Sequence, residues 1–199
     1  MAKVIILNGP PCVGKDTLAH YFLEHLPYSG NPIWVEHASF AKPLKQLNQI
    51  IYNLTDAEVK ELDSNHILKN TPQERFRGKS WRQVNIDISL KLKEEFGQDY
   101  FGKHLVQRIE AREKIAPLEP LNVVLTDGGF EEEAIPLIKK YGHDNVHVIK
   151  LIRKDCDYSK DSRKYLDCEK LGIPQHDLHN IFLDKYLLDG RKLIMDILK

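Results

Sequence analysis

Directly after a short apolar run at residues 4–7, the chain carries a glycine-rich segment that few folds accommodate. Its sequence is Gly9-Pro10-Pro11-Cys12-Val13-Gly14-Lys15-Asp16-Thr17. The pattern Gly-x-x-x-x-Gly-Lys between a strand and an amphipathic helix is typical of a phosphate-binding loop. Its glycines let successive backbone N–H groups face phosphate oxygens, and the positive end of the following helix adds to the attraction. We favour this interpretation over a plain strand-to-helix turn because the pattern rarely occurs by chance with these flanks.

Individual residues of this loop have distinct expected roles. Lys15 supplies a mobile point charge for the β- and γ-phosphates of a nucleotide. The residue after the lysine is usually a serine or threonine that holds magnesium, but here it is Asp16, and the hydroxyl comes at Thr17. Asp16 is either an acid favoured by the helix dipole or a partner of magnesium through water. The residues expected to bind the nucleotide here are Gly9, Pro11, Val13, Gly14, Lys15, Asp16 and Thr17.

Short apolar runs alternate with helical patterns along the chain, which is typical of parallel βαβ units. We predict strands at residues 3–8, 33–38, 121–126, 146–152 and, on a weaker pattern, 178–182. The interval between the second and third strands is mostly helical, and Trp81 begins one of its apolar stripes, which places it in the core. The prediction is one α/β domain over residues 1–199, with a core at 1–38 and 121–199 and a helical region at 39–120.

Composition excludes several classes of protein. The chain has 199 residues, with 29 Lys and Arg against 29 Asp and Glu, so it lacks the positive excess of a dedicated nucleic-acid or membrane-surface binder. It has no apolar run long enough to span a bilayer and no signal-peptide pattern at its N-terminus. The three cysteines share no metal-ligand spacing and are expected to be free thiols: Cys12, Cys156 and Cys168. We therefore expect a cytoplasmic protein.

Basic residues in the helical region are candidates for binding a second anion. Lys42 and Lys45 lie at the opening of a helix whose N–H groups also attract anions, although two solvated lysines explain the spacing equally well. Arg82 is placed for bidentate phosphate recognition. Tyr100 and Phe101 open a later helix, where one ring is expected to face the core and the other to cover a base.

Further candidates follow the later strands. Asp127 ends the third strand, where a carboxylate can order magnesium or its waters, or can cap the following helix. Arg153 follows the fourth strand and opens a basic segment at residues 153–165, which also holds Lys160 and Arg163 and which suits a lid that neutralises phosphoryl charge. Asn180, near the last strand, is a weaker candidate for contact with the adenine of a donor nucleotide.

Taken together, these segments resemble the deoxynucleoside monophosphate kinases of bacteriophages, with adenylate kinase as a more distant relative. The resemblance covers nearly the whole chain in order. It is carried by the Gly-Lys-Asp-Thr ending of the loop, the Ser-Phe-Ala-x-Pro-Leu-Lys stretch at residues 39–45, the Trp-Arg pair at 81–82, the aromatic stretch at 96–102 and the strand-ending Asp127.

The resemblance implies a three-layer P-loop kinase fold with a five-stranded parallel sheet, a helical acceptor-binding insertion and a short lid. It also implies ATP as phosphoryl donor, Mg²⁺ as cofactor through Asp16 and Asp127, and a nucleoside monophosphate as acceptor. Lys15, Arg153, Arg163 and Asp127 would serve in catalysis. Acceptor binding would fall to Phe40, Lys42, Lys45, Arg82, Tyr100 and Phe101.

One departure and several alternatives accompany the resemblance. The family often has an arginine two places after the strand-ending aspartate, where this chain has Gly129, so a cation is either absent there or supplied by Arg153.

Another small-molecule kinase (of the shikimate, gluconate or phosphomevalonate type) would share the loop, and a non-catalytic nucleotide-binding protein remains an alternative. A GTPase is disfavoured because no Asn-Lys-x-Asp motif occurs. No nucleic-acid or membrane partner is expected, and a homodimer is left open.

Overall fold

A computed structural model describes residues 2–26, 33–115, 120–159 and 161–199. The chain forms an α/β fold in which five strands make one parallel sheet flanked by helices. The strands are β1 (Val4–Asn8), β2 (Val35–Ala38), β3 (Asn122–Leu125), β4 (Val146–Ile152) and β5 (Gln175–His179). The predictions for the first four strands are confirmed to within two residues at each end. β1 and β3 are short buried runs, as expected where both faces of a parallel sheet are covered, whereas β2 at the edge is only partly buried.

The strand order is β2-β3-β1-β4-β5, so the strand that precedes the glycine-rich loop lies at the centre. In β1, Ile6 pairs with Leu125 of β3 on one side and with Val148 of β4 on the other. Because all strands run in the same direction, their carboxyl ends meet at one edge of the sheet. Ligands of open α/β sheets bind at that edge, which here is followed by Gly9, Thr126 and Arg153.

The predicted position of the fifth strand is wrong by three residues. We expected residues 178–182, but β5 ends at His179. This strand lies at the edge of the sheet, and Leu178 is its one buried residue. Because its other residues are polar, an apolar pattern could not locate it. The apolar residues Ile181 and Phe182, which suggested a strand, are instead 75% and 72% exposed and lie in the turn after it.

Nine α-helices connect and cover these strands within the described residues. They are α1 (Lys15–Glu24), α2 (Lys42–Ile51), α3 (Asp56–Ser64), α4 (His66–Asn70), α5 (Trp81–Phe96), α6 (Tyr100–Ile115), α7 (Glu131–Tyr141), α8 (Cys168–Leu171) and α9 (Leu183–Leu198).

Helices cover both faces of the sheet. Ile5 and Leu7 of β1 point to one face and pack in a fully buried cluster with α1 and α9. Ile6 points to the opposite face because side chains alternate along a strand, and it is equally buried. On that side α7 packs against β4. Gly102 of α6 lies very close to α7, because a Cβ at this position would be 2.3 Å from the carbonyl oxygen of Glu133.

The chain divides into two compact units. The first, residues 1–40 and 101–199, contains the sheet, and the second, residues 41–100, is helical. The helical unit has its own core, in which Phe76 and Trp81 are fully buried together with Leu62. The burial of Trp81 confirms the expectation that it is a core residue. Its indole N–H donates to Asp63 Oδ1 at 2.9 Å.

No helix in the described ranges is long and apolar enough to cross a membrane.

Candidate functional site

The glycine-rich loop has the tight backbone that its sequence predicts. Gly14 has φ of 105° and Cys12 has φ of 64°, both in the left-handed region that side chains rarely adopt. A Cβ on Gly9 would lie 2.9 Å from Val13 Cγ1 and 3.0 Å from the carbonyl oxygen of Leu151. The first glycine is therefore required by close packing against β4, and the last one by its backbone conformation.

Lys15 is the central cation of this loop. Its Nζ donates to the carbonyl oxygens of Gly9 and Pro10, each at 2.7 Å, and the residue is only 8% exposed. Burial and the nearby charge of Arg163 lower the pKa of Lys15 to about 8. Both hydrogen bonds that the described residues give to this ammonium go to neutral carbonyls, and a buried ammonium in such surroundings is stabilised by a nearby anion.

Three side chains from outside the loop hold its carbonyl groups. Arg153 Nη1 donates to the carbonyl oxygen of Cys12 at 3.1 Å, and Asn180 Nδ2 donates to that of Val13 at 2.9 Å. The hydroxyl of Tyr186 donates to the carbonyl oxygen of Gly14 at 3.0 Å. Fixing these carbonyl oxygens to outside partners orients the peptide groups, which is how a loop comes to offer its N–H groups to an anion.

These contacts bear on two of the predicted roles. Asn180 is buried and braces the loop, a role that the sequence did not suggest, while its contact with adenine stays a prediction. Arg153 follows β4 and lies beside the loop, which is the position expected for a cation that contacts phosphate. Tyr186 was not recognised in the sequence because its role depends on the packing of α9 against α1.

Asp127 lies beyond the end of β3, and its carboxylate joins two strand ends. Ser39 Oγ donates to its Oδ2 at 2.6 Å, and the backbone N–H of Phe40 donates to its Oδ1 at 3.1 Å. The carboxylate therefore holds the chain leaving β2 beside the chain leaving β3. Asp127 is half-buried. The pKa of the Arg163 guanidinium is raised mainly by its hydrogen bond to Asp161, and the nearby charge of Asp127 adds to this effect.

Arg163 lies against Gly129. Its guanidinium makes two hydrogen bonds to Asp161, Nε to Oδ1 at 2.9 Å and Nη2 to Oδ2 at 2.7 Å. A Cβ on Gly129 would lie 2.6 Å from Arg163 Cβ, so a larger residue would displace the arginine stem. The cation beside Gly129 is thus Arg163, whereas Arg153, which the sequence reasoning named for this place, contacts Cys12.

Asn8, the last residue of β1, connects this strand to residues 153–165, which we call the lid segment. Lys160 of this segment lies outside the described residues. The side chain of Asn8 is 1% exposed. Its Nδ2 lies within hydrogen-bonding distance of the carbonyl oxygens of Gly128 and Lys164 and of the Tyr158 hydroxyl, at 3.1 to 3.2 Å. Its Oδ1 accepts from the backbone N–H of Leu166 at 2.8 Å. Sequence reasoning missed Asn8, although a polar residue that ends a buried strand was a usable signal.

The predicted acceptor residues Lys45 and Arg82 lie in the helical unit, where both already have polar partners. Lys45 Nζ lies 2.8 Å from Asp63 Oδ2, and Arg82 Nε donates to Asn70 Oδ1 at 2.9 Å. Lys42 is exposed at the start of α2.

The three aromatic candidates differ in exposure. Phe101 is 2% exposed and Phe40 is 4% exposed, so both rings belong to the core of the first unit. Tyr100 is half-buried, and its ring stacks on Phe96 with centroids 5.2 Å apart. Of the pair Tyr100 and Phe101, the second therefore faces the core, and the first keeps accessible ring surface.

The described residues offer few side-chain ligands for a metal ion. Among the described residues, no three His, Cys, Asp or Glu side chains are grouped so that they could bind an ion. Asp16 is exposed in the first turn of α1, and both oxygens of Asp127 already accept hydrogen bonds. This donor set fits a hydrated Mg²⁺ bound mainly by a polyphosphate, which is the usual mode for this ion.

Comparison with protein-family models gave no match, and a search of curated proteins gave none either.

Proposed function

We propose that this protein is a P-loop phosphotransferase that moves the γ-phosphoryl group of ATP to a (deoxy)nucleoside 5′-monophosphate. The observation that carries the proposal is the buried Lys15 ammonium, held between the carbonyls of Gly9 and Pro10 in a loop with left-handed residues at Cys12 and Gly14. The central position of β1 and the order of the sheet support a three-layer P-loop kinase fold.

The surroundings of the loop support transfer in addition to binding. Lys15 belongs to the loop, and Arg153 and Arg163 both come from the segment at residues 153–165. Arg153 donates to the carbonyl oxygen of Cys12, and the charge of Arg163 adds to burial in lowering the pKa of Lys15. Three cations close to the loop suit a group whose negative charge is spread over three oxygens in the transition state.

The chemistry requires little from a general base. An oxygen of the acceptor phosphate, already anionic, attacks the γ-phosphorus as the bond to the β–γ bridging oxygen breaks, giving two diphosphates. Catalysis then rests on in-line positioning and on neutralising charge by Lys15, the loop N–H groups and the two arginines. Mg²⁺, bound through the polyphosphate and through water near Asp16 or Asp127, would supply further charge neutralisation.

Acceptor recognition is assigned to residues of the helical unit. Arg82 offers a planar guanidinium for the lone phosphate, and Lys42 and Lys45 offer point charges at the start of α2. Tyr100 is the aromatic residue with ring surface available for the base. Asp63 and Asn70 would release Lys45 and Arg82 when a more highly charged partner arrives.

A coupled assay that follows ADP release tests this proposal. Purified protein with ATP and Mg²⁺ is offered dAMP, dGMP, dCMP, dTMP and the ribonucleotides, and in parallel shikimate, gluconate and phosphomevalonate. We expect ADP release to depend on at least one nucleoside monophosphate. Release that depends only on one of the acids would replace the proposal with another small-molecule kinase, and ATP binding without release under any acceptor would favour a non-catalytic nucleotide-binding protein.

The lowered pKa of Lys15 predicts that binding of a nucleotide takes up a proton in alkaline solution. Above a pKa of about 8 the free lysine is mostly neutral, whereas a bound polyphosphate favours its charged form. Affinity should therefore fall as the pH rises through about 8, and at about pH 9 binding should take up about one proton. Titration calorimetry in buffers of different ionisation enthalpy measures this uptake, and equal uptake by a Lys15→Met variant would rule out Lys15 as its source.

A further inference from the structure

A second concave site lies wholly within the helical unit. It is an open groove with a volume of about 890 Å³, lined by residues of α2 and α5 and of the turn between α4 and α5. Its floor is apolar: Phe76 is fully buried, Val84 is nearly so, and Ile88 is half-buried beside them. A groove of this size and composition can accept a small organic ligand.

The rim of this groove is strongly cationic in a chain of zero net charge. The lining contains four basic side chains and one carboxylate, namely Arg75, Arg77, Lys79, Lys91 and Asp87. Such a surplus around an apolar floor favours a ligand that combines a ring with several negative charges.

Two of these cations are already engaged and two are not. Arg75 Nη1 donates to Glu58 Oε1 at 2.9 Å, and Lys79 Nζ lies 2.6 Å from Asp87 Oδ2. Across the residues that the structure describes, the side chains of Arg77 and Lys91 form no direct hydrogen bond or ion pair, although Lys91 adds to the hydrogen bonds from Lys79 and Gln83 in lowering the pKa of Asp87. They are therefore the groups that an incoming anion would meet first.

Arg77 is held in place by an unusual backbone. Its φ is 55°, in the left-handed region that arginine rarely adopts, and Gly78 follows with φ of 77°. The turn is closed by hydrogen bonds from the N–H of Gln73 to the carbonyl oxygen of Lys79 at 3.0 Å and from the N–H of Gly78 to that of Gln73 at 3.1 Å. Strained residues of this kind recur at ligand sites, where the surrounding structure fixes them.

A buried polar atom also lies at this groove. Asn48 contributes to the lining and is fully buried, and its Nδ2 donates to Asn85 Oδ1 at 3.1 Å. Its Oδ1 accepts no hydrogen bond within the described part of the chain. Buried acceptors are almost always paired, so this one marks a place where a donor is missing.

The groove is separate from the residues assigned to the acceptor. On a helix of 100° per residue, four of the five groove residues on α5 (Val84, Asp87, Ile88 and Lys91) lie about 140° to 240° around the helix from Arg82, and Leu90 lies about 80° from it. Most of the groove lining on α5 therefore lies on a different side of the helix from Arg82.

From these observations we propose that the groove binds a nucleoside di- or triphosphate. Its base would lie on the accessible apolar side chains of the lining, Ile51, Ile88 and Leu90, above the buried Phe76, and its phosphates would meet Arg77 and Lys91. A ligand with more than one negative charge fits best because two cations of the rim, Arg77 and Lys91, remain after Arg75 pairs with Glu58 and Lys79 pairs with Asp87. The inference does not depend on the proposed function, because no groove residue belongs to the glycine-rich loop.

Amide chemical-shift mapping with ADP and dTTP tests the proposal on the full chain. The titrations are done on the wild-type protein and on Lys15→Met, which weakens the loop site. We expect saturable shifts at residues 76–79 and 87–91 in both proteins, with a dissociation constant below about 1 mM. The proposal is overturned if these amides do not move, or if their shifts vanish in Lys15→Met, since they would then be transmitted from the loop.

Variants of the rim make the test specific. Arg77→Gly removes the guanidinium and also relieves the left-handed backbone, so it should fold at least as well as the wild type. Arg77→Gly and Lys91→Ala should each weaken binding at the groove by at least about tenfold. Lys60→Ala, which changes an exposed lysine outside the lining, should leave it unaltered. Binding that survives both rim variants would contradict the proposal, whatever the outcome of the phosphoryl-transfer assay.

Discussion

Replacing Lys15 with methionine should reduce kcat/KM for phosphoryl transfer by about 10³-fold, because the reaction loses its central cation in a site shielded from water. Methionine keeps much of the length of the side chain but has no charge and no donor. Lys15 is 8% exposed and bonded to two loop carbonyls, so no other described side chain can take its place without moving. Steady-state kinetics with ATP and the best acceptor measures the loss.

The control for this experiment is Lys185→Ala, which changes an exposed lysine in the first turn of α9. It should leave kcat/KM unchanged. Thermal unfolding of Lys15→Met should remain cooperative and close to the wild type, since removing a buried charge relieves a desolvation penalty. Turnover within a few-fold of the wild type in Lys15→Met would contradict the role assigned to this residue.

Replacing Asn8 with alanine should both destabilise the protein and release the lid segment. The change leaves the buried N–H of Leu166 and the carbonyl oxygen of Gly128 without their partner, which costs about 3 kcal/mol of unfolding free energy. Because Arg163 lies within the released segment, kcat should fall by more than about tenfold. Denaturant unfolding, kinetics and hydrogen exchange of residues 158–166 measure the three effects.

Asn145→Ala provides the comparison. Its Nδ2 also donates to a backbone carbonyl, that of Tyr141 at 2.9 Å, but this contact is local to the end of α7. It should reduce stability without changing kcat or the exchange of the lid segment. If Asn8→Ala and Asn145→Ala lose activity only in proportion to their loss of stability, Asn8 has no positioning role.

Local patterns explain why much of the fold was predictable. The first, third and fourth strands are near-continuous apolar runs, and the glycine-rich loop carries its own conformational requirements at Gly9 and Gly14. The helix after Ser80 and the burial of Trp81 follow from apolar spacing alone. Each of these features is decided by residues that are close together in the sequence.

Features decided by distant residues could not be predicted. Asn8 is 158 positions from its donor Leu166, and Tyr186 is 172 positions from the Gly14 carbonyl that it binds. The edge strand β5 buries one leucine, so its polar residues gave no strand pattern. The pairing of Arg163 with Asp161 over Gly129 likewise depends on how the segment after β4 folds back. The groove includes Arg77, whose left-handed backbone cannot be predicted from an arginine in the sequence.

The most direct test of the central claim is to follow the γ-phosphoryl group itself. The protein is incubated with Mg²⁺, ATP labelled with ³²P at the γ-position and each nucleoside monophosphate in turn, and the products are separated by chromatography. Label should appear in the nucleoside diphosphate made from at least one acceptor, and it should be absent from that product with Lys15→Met. Label that remains in ATP, or that is recovered only as inorganic phosphate with every acceptor, would contradict the account.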